Sequence, residues 1–481
     1  MKKSLKLILV IAIIACLLLP LLSACNKSED GASGTDKLVI YNWEDYIDSS
    51  LLDEFTELYK ATTGRSLDIT YTTYDTNETM MTKVLKGDAN VDLICPSDYA
   101  IEKLLLADCL LSQKDVYAEL QNDGTLDDID FEFSGMSSLN ANWGNIDAEV
   151  MDVISDTFSE VKSKDGKPYT DFMTPYMWGT LGILYNVNVV SEEELEEYGW
   201  GVLWNVQQNE DLENKILMKD SVRDTYAASV LYMKEYDLLP DGYQNYSIGD
   251  LINCTDDAML KASEKVLTEQ RDHISGYEVD FGKDDMLNEI VYADFAWSGD
   301  ALWAVEESYD EDTDEYLLGY YVPEIGSNIW YDGWCIPKSV NNKLAAMMFI
   351  EFMCQPTSAI SNSMEIGYTC AVAKDKLMAD EDVLAILEEN EYDTDEYFED
   401  EGRYPEINES LGVMRDFGTR GEALVGMWQR AKSGNGVSPA LWWCLLGIVG
   451  AVGLAIAIYF IVQALRYRPR VIKSAEPKEK E

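Results

Sequence analysis

Residues 38–46 of the chain read LVIYNWEDY, an apolar stretch that ends in aromatic and acidic residues. Residues 38–41 have the composition of a short buried strand. A helix is expected over residues 50–62, with Ser50 and Asp53 as a capping pair at its start and Gly64 as its stop. The stretch therefore predicts a strand followed by a helix, with polar and aromatic side chains at the junction.

The same alternation of strand and helix continues downstream. Strand patterns cover residues 67–72 and 91–95, and helical patterns cover residues 76–85 and 100–107. Strand, helix, strand, helix and strand within about 60 residues indicate a parallel sheet in an α/β domain. Ligands of such sheets bind beyond the carboxyl ends of the strands. The residues that follow the first and third predicted strands are therefore candidates for a binding site.

The composition narrows the class of protein. The chain has 481 residues, of which 47% are apolar, so it is long enough for two or three domains and is not a disordered chain. It contains 37 Lys and Arg against 88 Asp and Glu, a formal net charge of −51. This balance argues against a nucleic-acid partner, which needs a basic face. It favours either a cationic partner or a chain that must stay soluble.

Several kinds of enzyme are also disfavoured. The single histidine, His273, excludes a zinc site built from several histidines. No glycine-rich phosphate loop is present, which argues against a nucleotide enzyme. We therefore expect no cofactor and no metal.

The N-terminal end has the pattern of a lipoprotein signal peptide. Three lysines precede an apolar run over residues 7–22, and the run ends in LSAC, a lipobox pattern in which the cysteine becomes lipid-modified. We expect a signal peptide over residues 1–25, lipidation of Cys25 and a polar tether over residues 26–36. An uncleaved anchor helix is the alternative.

The C-terminal end has the pattern of a membrane span. Residues 440–465 contain no charged residue and are long enough for a transmembrane helix, and four basic residues follow within residues 466–473. By the positive-inside rule, residues 466–481 form a cytoplasmic tail. We therefore expect a cell-membrane protein whose binding domain is extracytoplasmic. A buried core helix is the alternative.

Aromatic residues beside carboxylates recur at other loop positions. The clusters are WSGD over residues 297–300, WYDGW over 330–334, GY over 367–368 and DSVRD over 220–224. An alkylammonium ligand needs this combination, because ring faces attract the cation and cover the methylenes. Carboxylates neutralise each ammonium group with charge-assisted hydrogen bonds. A core tryptophan beside a capping aspartate would explain any single cluster, but their recurrence favours one shared site.

The order of these motifs resembles the spermidine/putrescine-binding proteins of bacterial ABC importers over residues of about 37–435. The resemblance rests on YNWEDY at residues 41–46, TYDTNETM at 73–80, PSDY at 96–99 and PYMWGT at 175–180. It implies a two-lobed α/β fold of the periplasmic-binding-protein type, with crossing hinge strands, that closes over one polyamine. It also implies delivery of the ligand to a separate permease and ATPase and not catalysis, so we expect a protein that is not an enzyme and has no catalytic residue.

The resemblance divides the chain between two lobes. Lobe 1 is expected over residues 37–176 and 327–375. Lobe 2 is expected over residues 177–326 and 376–435.

The resemblance also implies which residues bind the ligand. Aromatic pocket positions fall on Trp43, Tyr46, Trp297, Trp330 and Tyr368. Two further residues, Ser97 and Tyr99, would line lobe 1. Carboxylates near the ligand amines fall on Asp45, Asp224, Asp300 and Asp332, of which Asp300 matches an aspartate of the putrescine-type members.

Two departures from the family pattern leave the ligand length open. Ser221 stands where spermidine-type members have an aspartate, and Met414 stands where a glutamine is usual. Two other functions also remain open: a receptor for another solute such as a sugar, and a glycosidase. A glycosidase needs two carboxyl groups about 5 to 10 Å apart that flank one bond.

Overall fold

The computed structural model describes residues 34–433, apart from residues 128, 130, 132–143 and 312. The predicted signal peptide with Cys25, the predicted membrane helix over residues 440–465 and the predicted tail lie outside the described residues. Within residues 34–433, as far as they are described, no helix combines the length and the apolar character that a membrane crossing needs.

The secondary structure alternates strands and helices along most of the chain. The strands are β1 (Thr35–Trp43), β2 (Ser66–Tyr74), β3 (Leu93–Ile94), β4 (Leu110–Leu111), β5 (Thr174–Asn186), β6 (Ile216–Lys219), β7 (Gly276–Glu278), β8 (Ala293–Trp297), β9 (Tyr309–Asp310), β10 (Glu315–Tyr316), β11 (Leu318–Tyr321), β12 (Ser327–Trp334), β13 (Ile336–Pro337), β14 (Thr369–Cys370) and β15 (Leu411–Gly412). The helices are α1 (Ser49–Thr63), α2 (Asn77–Lys86), α3 (Asp98–Leu106), α4 (Gln113–Asn122), α5 (Ala148–Thr157), α6 (Glu192–Tyr198), α7 (Val222–Glu235), α8 (Ile248–Ile252), α9 (Asp257–Gln270), α10 (Gly282–Leu287), α11 (Ser298–Glu307), α12 (Lys343–Met353), α13 (Pro356–Ile366), α14 (Lys374–Ala379), α15 (Glu381–Glu389), α16 (Thr394–Glu399) and α17 (Gly421–Ser433).

A parallel sheet near the N-terminus has the strand order β2-β1-β3. Its three strands are each followed by a helix, as the sequence predicts. The predicted capping pair of Ser50 and Asp53 is wrong. The N-cap of α1 is Asp48, and its side chain accepts a hydrogen bond from the backbone N–H of Ser50. Gly64 ends the helix in the left-handed conformation, with a φ of 70°. The carboxyl ends of all three strands meet at one edge of this sheet.

A larger sheet has the strand order β15-β12-β5-β8-β6-β7, with β11 and β14 also paired to β5. Strand β6 runs parallel to both β7 and β8, so the carboxyl ends of these three strands also share an edge. Acidic residues follow each of these strands: Asp220, Asp280 and Asp300.

Strand β5 contributes side chains to two hydrophobic cores. All 13 residues of β5 are buried. Met177 and Trp178, near its start, pack in one core with the side chains of β1 and β3, whereas Leu181 and Ile183 pack in another core with β6 and β8. Strand β12 pairs antiparallel with the first part of β5, from Thr174 to Thr180. Strand β5 therefore passes from one core to the other, whereas the buried apolar side chains of β12 lie in the first core.

Candidate functional site

A cavity of about 310 Å³ lies between the carboxyl edges of the two groups of parallel strands. One side is formed by residues that follow β1, β2 and β3, and the opposite side by residues that follow β6, β7 and β8. The structure brings all eleven sequence-predicted ligand residues to this cavity: Trp43, Asp45, Tyr46, Ser97, Tyr99, Asp224, Trp297, Asp300, Trp330, Asp332 and Tyr368.

Asp332 is the most deeply buried carboxylate among these residues. It lies on β12 at a register shift next to Gly333, and only 5% of its surface is exposed. Its Oδ2 accepts a hydrogen bond of 2.9 Å from the Tyr46 hydroxyl, whereas Oδ1 has no hydrogen-bond partner among the described residues. Burial raises the pKa of Asp332 to about 7, although the nearby hydroxyls of Ser97 and Tyr46 lower it, and the charge of Asp224 adds a smaller rise. A cation beside Oδ1 would supply both the missing hydrogen bond and the missing charge.

Aromatic rings form the walls around Asp332. The Tyr46 and Tyr368 rings meet edge to face with 5.0 Å between centroids, and the Trp330 and Tyr368 rings do so at 5.6 Å. The Trp43 indole donates a 3.0 Å hydrogen bond to the carbonyl of Cys95. These contacts hold the rings in place, so their faces are available to cover the methylenes of a ligand and to attract its charge.

A glycine makes room for one of these walls. Gly299 lies in the first turn of α11, and a Cβ at this position would overlap the ring of Tyr368. Any larger residue would push the Tyr368 ring out of its place between Tyr46 and Trp330. The glycine of the WSGD motif therefore has a packing role.

Asp224 faces Asp332 from the side of the cavity formed by the larger sheet. It lies in the first turn of α7, where its backbone N–H donates to the Ser221 hydroxyl at 3.3 Å. Burial raises the pKa of Asp224, and the charge of Glu78 adds to the shift. The charge of Asp224 also contributes to the raised pKa of Asp332. Asp224 therefore opposes the ionisation of Asp332 from the opposite side of the cavity, whereas Arg223 and Lys219 favour the ionisation of Asp224 itself.

Two cations of the chain itself lie against predicted aromatic walls. The guanidinium group of Arg223 lies 3.6 Å from the centroid of the Tyr99 ring, and the ammonium group of Lys219 lies 4.5 Å from that of Trp297. Lys219 forms an ion pair with Glu278, and its side chain is 2% exposed. Burial opposes its charge, but Asp294, Glu278 and Asp300 outweigh that effect and raise its pKa. One face of Tyr99 and one of Trp297 are thus already occupied.

A third cation, Lys283, contacts two of the predicted carboxylates. Its Nζ lies 3.4 Å from Oδ1 of Asp300 and 3.9 Å from Oδ2 of Asp45. The side chain of Asp45 is 77% exposed, which places it at the rim of the cavity. Asp300 therefore has an internal partner, whereas the Oδ1 atom of Asp332 has none among the described residues.

Comparison with known proteins gives the family. The family model described as hypothetical lipoprotein (MG045 family) matches residues 1–317. The chain belongs to this family.

Relatives and solved structures confirm the predicted resemblance. The spermidine/putrescine-binding periplasmic protein of Salmonella typhimurium is 25% identical over 360 residues, which cover 74% of this chain and 84% of that protein. The structure of the substrate-binding protein PotD of a spermidine/putrescine ABC transporter from Streptococcus pneumoniae matches with 28% identity and a TM-score of 0.57, and covers 83% of this chain and 99% of that chain. A putative spermidine/putrescine ABC transporter from Listeria monocytogenes matches with 26% identity, a TM-score of 0.58 and the same coverage. The α/β periplasmic-binding-protein fold is therefore confirmed.

The motifs that define the resemblance did not reveal the internal cations of the site. Lys219 is the last residue of the apolar strand ILMK, and a lysine at a strand end usually extends to solvent. Lys283 lies in an acidic stretch, GKDD, that resembles an ordinary exposed helix start. One feature of the sequence could have indicated Lys219. It ends a strand whose carboxyl end lies at the same edge as the acidic clusters.

Proposed function

We propose that the protein is an extracytoplasmic receptor that binds a polyamine, putrescine or spermidine, for an ABC importer. The observation that supports this most directly is Asp332, a buried carboxylate with an unpartnered oxygen inside an aromatic cavity. A primary ammonium group would donate a charge-assisted hydrogen bond to that oxygen. The rings of Trp330, Tyr46 and Tyr368 would cover the methylenes beside it.

The ligand would bridge the two sides of the cavity. In this proposal residues 37–176 and 327–375 form lobe 1 and residues 177–326 and 376–435 form lobe 2. Asp332 then belongs to lobe 1 and Asp224 to lobe 2, so a cation between them favours the closed arrangement. A permease and its ATPase would recognise the closed receptor and take up the ligand.

Attachment to the membrane is part of the same proposal. Lipidation of Cys25 would anchor the N-terminus, and a helix over residues 440–465 would span the membrane with residues 466–481 in the cytoplasm. The lipobox and the charge-free apolar run support this arrangement, and so does the lipoprotein description of the family. The receptor domain would then face outward at the cell membrane.

A binding screen with the full-length protein in detergent tests the proposed function. Isothermal titration with putrescine and with spermidine should give saturable binding at one site for at least one of them. Titration with neutral sugars should give no heat of binding, because a sugar leaves the Asp332 charge without a cation partner. Saturable sugar binding without polyamine binding, or hydrolysis of a glycoside substrate, would refute the proposal.

A further inference from the structure

The cavity contains two lysines that differ in how firmly they are held. Lys219 is almost completely buried, forms an ion pair with Glu278, donates a 3.2 Å hydrogen bond to the carbonyl of Val279 and lies over the ring of Trp297. It is a fixed part of the structure, because its removal would leave buried carboxylates without a cation.

Lys283 has weaker contacts and partial access to solvent. Its side chain is 17% exposed, and its shortest ion-pair contact is the 3.4 Å approach to Asp300. Its second contact is to Asp45, at 3.9 Å, and the exposure of Asp45 makes that contact worth little. The Trp303 ring lies 5.2 Å from the ammonium group. Lys283 can therefore leave Asp300 at a much smaller cost than Lys219 can leave Glu278.

The surroundings of Asp300 are those of an ammonium-binding position. The carboxylate is 14% exposed, lines the cavity and lies close enough to Tyr368 for its charge to raise the pKa of that hydroxyl, after the larger effect of burial. With Lys283 in place, this carboxylate already has an ammonium partner. Asp332, by contrast, has an oxygen without a partner among the described residues. The two carboxylates are therefore unequal for an incoming cation.

We infer that Lys283 is a specificity-determining residue that occupies the second ammonium position of the cavity, at Asp300. The first ammonium of a ligand binds at Asp332 without competition, whereas a second one must displace Lys283 from Asp300. A second ammonium group on the ligand then increases the affinity less than it would if Lys283 did not occupy Asp300. This inference rests on the proposed polyamine function and concerns the same site.

The experiment compares Lys283→Met with the parent protein, both full length and in detergent. The substitution removes the ammonium group and keeps the length of the side chain. Titration followed by tryptophan fluorescence measures Kd for putrescine and for 1-aminobutane, which has the same carbon chain and one ammonium group. We expect Lys283→Met to bind putrescine about tenfold more tightly or better, because the second ammonium no longer has to displace Lys283 from Asp300. The affinity for 1-aminobutane should change by less than about threefold.

Two further variants separate this effect from a general change in charge. Lys265→Met removes a charge from an exposed lysine, 74% exposed and paired with Glu269 on α9, and should leave the putrescine affinity within about twofold. Lys283→Arg retains a cation and should show less than about a third of the increase in putrescine affinity that Lys283→Met shows. Lys283→Gln replaces the methionine variant if circular dichroism shows that the latter is misfolded.

The outcomes distinguish the inference from the function on which it rests. The inference is overturned if putrescine and 1-aminobutane gain equally, if Lys265→Met gives the same gain, or if folded Lys283→Met gains less than about threefold. Each of these results leaves polyamine binding by the parent protein intact. If the parent and all variants bind no amine, the proposed function fails, and the inference fails with it.

Discussion

The buried carboxyl group of Asp332 makes the stability of the ligand-free protein depend on pH. Its pKa is about 7 in the folded protein against an ordinary value of 3.8, so the folded state binds this proton more tightly than the unfolded state does. The stabilising contribution is complete below the ordinary value and is lost as the pH rises through about 7. Between about pH 5 and pH 7 this stability falls by about 1.4 kcal/mol per pH unit, and above about pH 7 it changes little. The loss between about pH 5 and pH 8 is therefore about 3 kcal/mol.

The substitution Asp332→Asn tests this reasoning because an amide resembles the protonated carboxyl group and does not titrate. In the ligand-free state the free energy of unfolding of the variant, relative to the parent, should rise by about 2–3 kcal/mol from about pH 5 to pH 8. Urea unfolding followed by tryptophan fluorescence measures this difference. Other buried acids contribute to both proteins, so most of their effect cancels.

The same substitution should weaken polyamine binding. Loss of one partner of a buried ion pair costs about 3–5 kcal/mol, so Kd for putrescine should rise by roughly two to three orders of magnitude at neutral pH. Asp68→Asn on the exposed side of β2 is the matched control and should bind like the parent. If Asp332→Asn binds putrescine as well as Asp68→Asn does, or if its stability follows pH as the parent's does, the role given to Asp332 is wrong.

Three further predictions concern the wall, the fixed lysine and the anchor. Trp330→Ala removes a ring face and apolar cover and should cost about 2 kcal/mol or more of polyamine binding by calorimetry; a loss below about 0.5 kcal/mol would contradict its role. Lys219→Met leaves Glu278 without its cation and should lower the free energy of unfolding by about 3–5 kcal/mol in urea, and unchanged stability would show that the ion pair is not important. Deletion of residues 440–481 should leave the protein membrane-bound through the lipid, and Cys25→Ala in that truncated chain should release it on fractionation. Retention of the unlipidated form with a cleaved signal would contradict this prediction.

Local sequence patterns predicted the strands of the first sheet, but β1 is longer than predicted because it pairs with β2. The apolar run over residues 38–41 lies within β1, but the strand begins at Thr35. The additional polar residues at its start pair with Ser66 and Asp68 of β2. Ladder hydrogen bonds to a neighbouring strand set this boundary, and the composition of the strand itself contains no sign of them.

The carboxylates and aromatic rings of the site could be predicted from the sequence, whereas its lysines could not. Carboxylates and rings at strand ends are visible in the sequence, and their convergence follows from the parallel arrangement of the strands. The burial of Lys219 has a different origin, because it depends on the register that places it opposite Glu278 of β7. That register joins residues 59 positions apart in the chain. A short apolar strand with a terminal lysine does not predict it.

The internal cations also change what the net charge of −51 means for ligand binding. A uniformly acidic surface attracts any cation, but salt screens this attraction over about 8 Å at physiological ionic strength. Inside the cavity, Glu278 and Asp300 already contact lysines of the chain, whereas Asp332 has an oxygen without a partner in the described part of the protein. The charge excess therefore affects how fast a polyamine arrives. In the proposed site, the affinity for a polyamine would depend on Asp332, which lacks a counter-ion, and on how easily Lys283 can be displaced from Asp300.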